Sequence, residues 1–108
     1  MKAKTNLTML CDFYELTMGN GYFQTGLADR ICYFDVFYRS VPDKGGFAIA
    51  AGLAQVVEYI ENLRFDEEDI AYLQSKGCFA TEFLDYLRTF RFTGDIWAVP
   101  EGTPIFPG

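Results

Sequence analysis

The stretch Leu10-Cys11-Asp12-Phe13-Tyr14-Glu15-Leu16-Thr17-Met18 fixes where the first helix of this chain must begin, and the remaining elements are read outward from it. Asp12 followed three residues later by Glu15 has the form of an N-cap with a reciprocal acceptor, which predicts a helix starting near Phe13. The helix is expected to run to about Gln24 and to stop at Thr25-Gly26, where glycine suits a C-terminal cap. A 3.6-residue period gives it two faces. Phe13, Leu16, Asn20 and Phe23 share a stripe that reads as core, whereas Tyr14, Thr17, Met18 and Gly21 share one that presents polar tips over small neighbours. The second face suits an approaching ligand or partner, and it puts the Tyr14 hydroxyl beside the positive end of the helix.

Lys2 to Met9 reads as a short polar lead. After the first helix, Ile31 to Arg39 is rich in aromatic and branched residues and predicts the strongest strand of the chain. Alternation places Ile31, Tyr33, Asp35, Phe37 and Arg39 on one face and Cys32, Phe34, Val36 and Tyr38 on the other. The second set is apolar enough to be core. Val41-Pro42-Asp43-Lys44-Gly45-Gly46 then breaks the strand and has the composition of a mobile loop. Phe47 to Ala51 is expected as a second strand, antiparallel to the first if the loop is a hairpin.

Gly52 leads into an amphipathic helix with Leu53, Val56, Val57, Ile60 and Leu63 at helical spacing, expected to pack on the sheet. The run Asp66-Glu67-Glu68-Asp69 lacks the glycine and spaced oxygen ligands of a calcium loop and reads as the first turn of a third helix. That helix carries Ile70 and Leu73 and stops near Gly77; a fourth spans about Ala80 to Thr89 with Phe83, Leu84 and Leu87 as its apolar stripe. Gly94 to Val99 and Thr103 to Phe106 are expected as two strands joined at Pro100-Glu101-Gly102. The fold class is therefore α+β, a mixed or antiparallel sheet packed with helices in one domain over residues 1–108. No element terminates the chain at Pro107-Gly108, so the domain is expected to be cut within or just after its last strands.

A chain of 108 residues can bury one real core. Seven Tyr and eleven Phe exceed what a core of that size needs, so some rings are expected to be covered by a second domain or subunit. The net charge of −6 offers no footprint for nucleic acid or an anionic membrane, and neither is expected as a partner. A single well-placed Arg still acts locally on a small anion, because net charge is screened within about 10 Å. No signal-peptide pattern and no membrane-spanning run is present, which makes the cytoplasm the expected location. Cys11, Cys32 and Cys78 form no CxxC pair and read as small buried thiols. With no His, neither a Ser-His nor a Cys-His nucleophile can be assembled, and a zinc site from this chain alone is improbable. No catalytic residue and no metal ligand is assigned.

The motif Asp-x-Tyr-Glu-Leu-Thr-Met, followed by Gly21-Tyr22-Phe23 and by Phe34-Asp35-Val36-Phe37-Tyr38-Arg39, resembles the amino-terminal domain of nicotinate phosphoribosyltransferases. The resemblance continues through Gly46 to Leu53, Glu82 to Leu87, Phe92-Thr93-Gly94-Asp95 and Pro100-Glu101-Gly102-Thr103, and covers nearly the whole chain. Cys11 departs from the threonine common at its position. The resemblance implies the amino-terminal domain of a type II phosphoribosyltransferase whose catalytic α/β barrel lies outside this chain. It implies formation of nicotinate mononucleotide and diphosphate from nicotinate and phosphoribosyl diphosphate with coupled ATP hydrolysis, in a homodimer that shares its active sites. Magnesium and ATP belong to the full-length enzyme; none is expected to bind this chain alone, which is expected to be inactive.

The same resemblance makes Tyr14 a nicotinate-contacting residue lent to the neighbouring subunit, where an unrelated Tyr would simply lay its ring on the core. It makes Arg39 a candidate for phosphoribosyl diphosphate, against the plain reading of an Arg paired with Asp35 on its own strand. Asp12, otherwise explained by capping, and Thr17 are supporting residues. Gly45-Gly46 is read as a turn in preference to a phosphate approach. Two alternatives stand beside this one: a related nicotinamide or quinolinate phosphoribosyltransferase domain, and a stand-alone binding or assembly module without chemistry.

Overall fold

The computed structural model describes residues 6–108, so residues 2–5 of the polar lead lie outside it. The core is helical. Helix α1 spans Phe13–Gln24, α2 Leu53–Glu61, α3 Glu67–Ser75 and α4 Thr81–Arg88. These bounds follow the 3.6-residue stripes read from sequence. Ile70 and Leu73 of α3 and Phe83, Leu84 and Leu87 of α4 are the buried hydrophobic set, with Leu16 and Phe23 of α1 packed against it.

Local signals set the helix ends. Asp66 caps α3 in a reciprocal box: the Asp69 N–H donates to its side chain at 2.8 Å and the Asp66 N–H donates to Asp69 at 3.1 Å. The acidic run is thus the first turn of a helix. At the other end of α1, Gly26 (φ 78°) allows Leu27 N–H to reach Tyr22 O at 2.8 Å and Gly26 N–H to reach Phe23 O at 3.2 Å, the paired bonds of a Schellman cap. The fourth helix has Ala at its N-cap, and a residue from another helix substitutes. Asn20 of α1 accepts the Ala80 N–H at 3.0 Å.

Aromatic rings run beside this core as a chain of edge and offset contacts. Phe13 meets Phe79 at 5.7 Å, Phe79 meets Phe83 at 6.0 Å, Phe23 meets Tyr86 at 5.1 Å and Tyr86 meets Phe90 at 5.9 Å. The segment before α1 is stapled to the α2–α3 connection. Thr8, 3% exposed, accepts the Arg64 N–H at 2.9 Å, and Asn6 donates to Arg64 O at 3.2 Å.

The sheet is far smaller than the sequence predicts. Among the described residues it consists of β1 (Ala48–Ile49) and β2 (Pro104–Ile105), antiparallel, with Ala48 opposite Ile105 and Ile49 opposite Pro104. The expected strand over Ile31–Arg39 does not form. Its anticipated core residues Phe34 and Val36 are 89% and 103% exposed, and the backbone of residues 31–37 makes no hydrogen bond among the described residues. The expected strand over Gly94–Val99 is likewise absent, and Trp97 is 94% exposed. A strand is stable only with a paired neighbour and a covered face, and these segments have neither.

The expected hairpin exists as a turn without its ladder. Gly45 N–H donates to Pro42 O at 3.2 Å across Asp43 (φ 59°, ψ 27°) and Lys44 (φ 56°), a left-handed pair of the kind that joins hairpin strands. Instead of pairing with residues 31–39, β1 pairs with β2. Helix α2 correspondingly has little sheet to pack on and buries none of its residues fully. It is tethered at its start by Glu101, whose carboxylate accepts the Leu53 N–H at 2.6 Å and the Gly52 N–H at 3.1 Å. The three cysteines are free and exposed, which corrects the expectation of buried thiols.

The whole chain presents 9095 Å² of accessible surface. A folded monomer of 12.3 kDa is expected to present roughly 6,100 Å². The excess is of the order of a protein–protein interface.

Candidate functional site

Tyr14 stands in the first turn of α1 with its side chain on the outer face and is 59% exposed. Its stripe is open: Met18 is 47% exposed, and a Cβ placed on Gly21 would meet nothing within 4 Å. On the opposite face a Cβ on Gly19 would touch the Phe83 ring at 3.4 Å. The two-face reading of this helix holds for Leu16 and Phe23, which pack on the core, while Phe13 stays 48% exposed against the Phe79 ring; Tyr14 lies away from the core.

Asp12 occupies the N-cap position in extended conformation (φ −73°, ψ 144°), but its side chain accepts no capping hydrogen bond. The Glu15 N–H bonds to the Asp12 backbone oxygen at 3.1 Å instead, so the predicted reciprocal box is not formed here. Thr17 spends its hydroxyl inside the helix, donating to Tyr14 O at 3.0 Å. It braces the turn that carries Tyr14 and does not present its hydroxyl as a free donor.

The electrostatics around this turn are acidic. Partial shielding from water raises the pKa of the Cys11 thiol, and Glu15 and Asp12 raise it further. Burial raises the Tyr59 hydroxyl of α2 in the same direction, with Cys11 and Glu15 adding to it. Thiol and phenol stay neutral near pH 7. With two carboxylates at its mouth, the positive end of α1 is offset locally and is a poor seat for an anion. What Tyr14 offers is a ring face.

Arg39 lies at a bend that ends the extended arm and is exposed. It forms no ion pair among the described residues, so the pairing with Asp35 on its own segment is absent. Its fork is available. No hydrogen bond or ring contact joins Tyr14 to Arg39 among the described residues; the two are carried by separate parts of the fold. Gly45 closes the tight turn at Pro42–Gly45 and Gly46 follows it at a bend, in keeping with the turn reading.

Residues not singled out from sequence do much of the positioning. Asn20 links α1 to the start of α4, and Glu101, in the turn before β2, links that turn to the start of α2. Their signal lay in isolated polar side chains whose partners are 60 and 48 residues away, which local spacing does not reveal. Among the described residues, no group of three or more Cys, Asp or Glu side chains is placed to hold a metal ion. Several carboxylates are engaged elsewhere: Asp66 and Asp69 in the α3 cap, Glu67 and Asp85 on Arg88. No described helix is long and apolar enough to cross a membrane.

Comparison with known proteins supplies what the isolated geometry does not. Residues 9–108 match the family described as the nicotinate phosphoribosyltransferase (NAPRTase) N-terminal domain. A nicotinate phosphoribosyltransferase of Mycobacterium tuberculosis is 46% identical over 99 residues, 92% of this chain and 21% of that protein. The enzyme of the same name from Caenorhabditis elegans is 37% identical over 102 residues, covering 92% of this chain and 18% of that protein. The one from Bacillus subtilis is 34% identical over 101 residues, covering 94% and 21%. The chain spans about a fifth of the length of these curated relatives. With residues 9–108 matched, nearly the whole chain, this chain belongs to the nicotinate phosphoribosyltransferase N-terminal domain family.

Proposed function

We propose that this chain is the amino-terminal domain of an enzyme that joins nicotinate to phosphoribosyl diphosphate, giving nicotinate mononucleotide and diphosphate with ATP hydrolysis coupled. The observation that carries the reading is the match of residues 9–108 to the family. The names of the three relatives favour nicotinate over nicotinamide or quinolinate as the acceptor.

In this reading Tyr14 stacks on the pyridine ring of nicotinate and holds it in position, a contact worth about 0.5–1.5 kcal/mol beyond burial. It makes and breaks no bond. Arg39 grips phosphate oxygens of phosphoribosyl diphosphate through its planar fork. Asp12 and Thr17 support the turn that carries Tyr14. The carboxylate of nicotinate needs a cation or donor that the acidic Tyr14 turn lacks, so the site is completed by the barrel domain and by a second subunit of a homodimer. Magnesium and ATP belong with the barrel, and no step through them is assigned to these residues. The enzyme so composed is cytoplasmic and serves nicotinate salvage toward NAD.

The test is nicotinate mononucleotide formation by this chain and by the full reading frame that encodes it, each with nicotinate, phosphoribosyl diphosphate, magnesium and ATP. Product from the long form alone is expected. A folded long form without activity would mean that family membership carries the fold and not the reaction.

A further inference from the structure

The Tyr14 ring has no contact of its own to fix it. Among the described residues its side chain makes no hydrogen bond and no ring contact, and 59% of the residue is exposed. Where the ring stands is therefore decided by where α1 stands. A helix lying on a core can slide along its axis or roll about it, and apolar contacts resist both weakly because they are non-directional. Much of the seat of α1 is of that kind: the helix buries no residue fully, and Leu16 and Phe23 are only partly buried against the core.

Asn20 supplies a directional contact. Its Oδ1 accepts the Ala80 N–H at 3.0 Å and its Nδ2 donates to Cys78 O at 3.4 Å. The two grips fall on either side of Phe79, in the connection between α3 and α4. The Phe79 ring in turn meets the ring of Phe13 edge to face at 5.7 Å, and Phe13 is the residue before Tyr14. One short segment, residues 78–80, thus holds α1 at Phe13 and at Asn20, about 10 Å apart along the helix axis. Two such points restrain slide and roll together.

The cap of α4 could have been made without α1. Ala80 stands at the N-cap in extended conformation (φ −65°, ψ 142°), the backbone geometry in which a serine side chain caps its own helix. The acceptor comes instead from Asn20, sixty residues back in the chain, and this choice couples α1 to α4.

We infer that Asn20 is a positioning residue for Tyr14: its amide, gripping the segment around Phe79, holds α1 in the one seat that presents the Tyr14 ring face to the pyridine ring. This goes a step beyond the reading of Tyr14 as the nicotinate contact and rests on it. Stacking depends on ring separation and offset, so a shift of α1 is felt as lost stacking. The loss is bounded by the whole of the Tyr14 contact. Asn20 itself touches no substrate.

The test is steady-state kinetics of the complete enzyme, with thermal unfolding of each variant. Asn20→Ala should raise the Michaelis constant for nicotinate by no more than Tyr14→Ala does, about 2- to 12-fold, with that for phosphoribosyl diphosphate nearly unmoved. Added to Tyr14→Ala it should raise the nicotinate constant no further, since the contact it positions is already gone. Asn20→Ala also uncaps α4, so the melting temperature should fall. Ala80→Ser separates the two roles: the double variant Asn20→Ala/Ala80→Ser should regain the melting temperature and keep the raised nicotinate constant. Recovery of both together would overturn the inference, because Asn20 would then be a cap and nothing more. Equal shifts of the two Michaelis constants, or an Asn20→Ala effect that multiplies with that of Tyr14→Ala, would overturn it as well. A nicotinate constant that Tyr14→Ala raises and Asn20→Ala does not would overturn this inference alone. One that neither variant moves would overturn the reading of Tyr14, and the role of Asn20 with it.

Discussion

The α3–α4 pair and the arm over residues 27–41 are both rich in apolar side chains, yet one is buried and the other is bare. Leu73 is 0% exposed and Val36 103%. The difference lies in where each element finds its partners. A helix satisfies its own backbone and needs only a stripe to bury, so α3 and α4 assemble from neighbours within about 20 residues. A strand needs a second strand for its backbone and a covering layer for each apolar face. The arm has its turn, at Pro42–Gly45, without its ladder. Hydrophobicity alone does not make a core; closure does.

The largest test of this contrast is truncation on both sides of it. Leu73→Ala should cost about 2–5 kcal/mol, since it leaves a void among Ile70, Phe83, Leu84 and Leu87. In so small a core that is enough to unfold the helices in a large fraction of molecules. Val36→Ala should change the melting temperature of the isolated chain little, within about 0.5 kcal/mol. Thermal circular dichroism of the two variants decides it. Equal losses would mean that the arm is covered in solution.

Arg39 belongs to the bare region, and its proposed role lies in a ligand contact and not in stability. In the complete enzyme Arg39→Ala should raise the Michaelis constant for phosphoribosyl diphosphate by about 10- to 100-fold, the worth of charge-assisted hydrogen bonds of about 1.5–3 kcal/mol. The constant for nicotinate should move far less. An unchanged constant for phosphoribosyl diphosphate would remove the phosphate role.

Between the two regions stands Glu101, which ties the turn before β2 to α2. Glu101→Ala should cost about 1 kcal/mol by leaving the Gly52 and Leu53 N–H groups without their acceptor. Amide exchange in the first turn of α2 should rise while α3 and α4 stay protected. Uniform exchange across all helices would show that the two regions fold as one unit.

At the exposed start of the α3–α4 pair, pH probes the α3 cap. The Asp69 N–H bonded to Asp66 holds that carboxylate below its ordinary pKa, so its contribution is present above the ordinary carboxylate value and lost as pH falls through the lowered one. Burial raises Asp69, whose contribution has the opposite sense: complete below its ordinary value and lost as pH rises through the raised one. Asp66→Ala should therefore lower the melting temperature at pH 7 and lose that effect in acid below both Asp66 values. An effect that persists undiminished there would mean that the cap acts through something other than charge.

The sequence was legible where interactions are local. Asp12 and Gly26 bracket α1, and the Ile70, Leu73, Phe83, Leu84 and Leu87 stripes mark the core as observed. The acidic run resolved into a cap because Asp66 and Asp69 are three residues apart. Ile31–Arg39 misled because β-propensity reports fitness for a covered, paired surface, and pairing is decided by distant chain. Asn20 and Glu101 were missed for the same reason. For the site, the α1 motif led to Tyr14 and the arm to Arg39, while no contact among the described residues brings them together.

Tyr14 sharpens the comparison from the other side, because it rides on the ordered region without belonging to its core. At 59% exposure, its replacement by Ala should leave the melting temperature of the isolated chain nearly unchanged. In the complete enzyme Tyr14→Ala should raise the Michaelis constant for nicotinate by about 2- to 12-fold, the equivalent of a stacking contact. The constant for phosphoribosyl diphosphate should move less, and Tyr14→Phe should behave as the original, since the face of the ring is what binds. Equal shifts for both substrates would place the residue in the general closure of the site. A loss on Tyr14→Phe would shift the role to the hydroxyl, and a helix N-terminus flanked by Asp12 and Glu15 would then be presenting a donor instead of a ring.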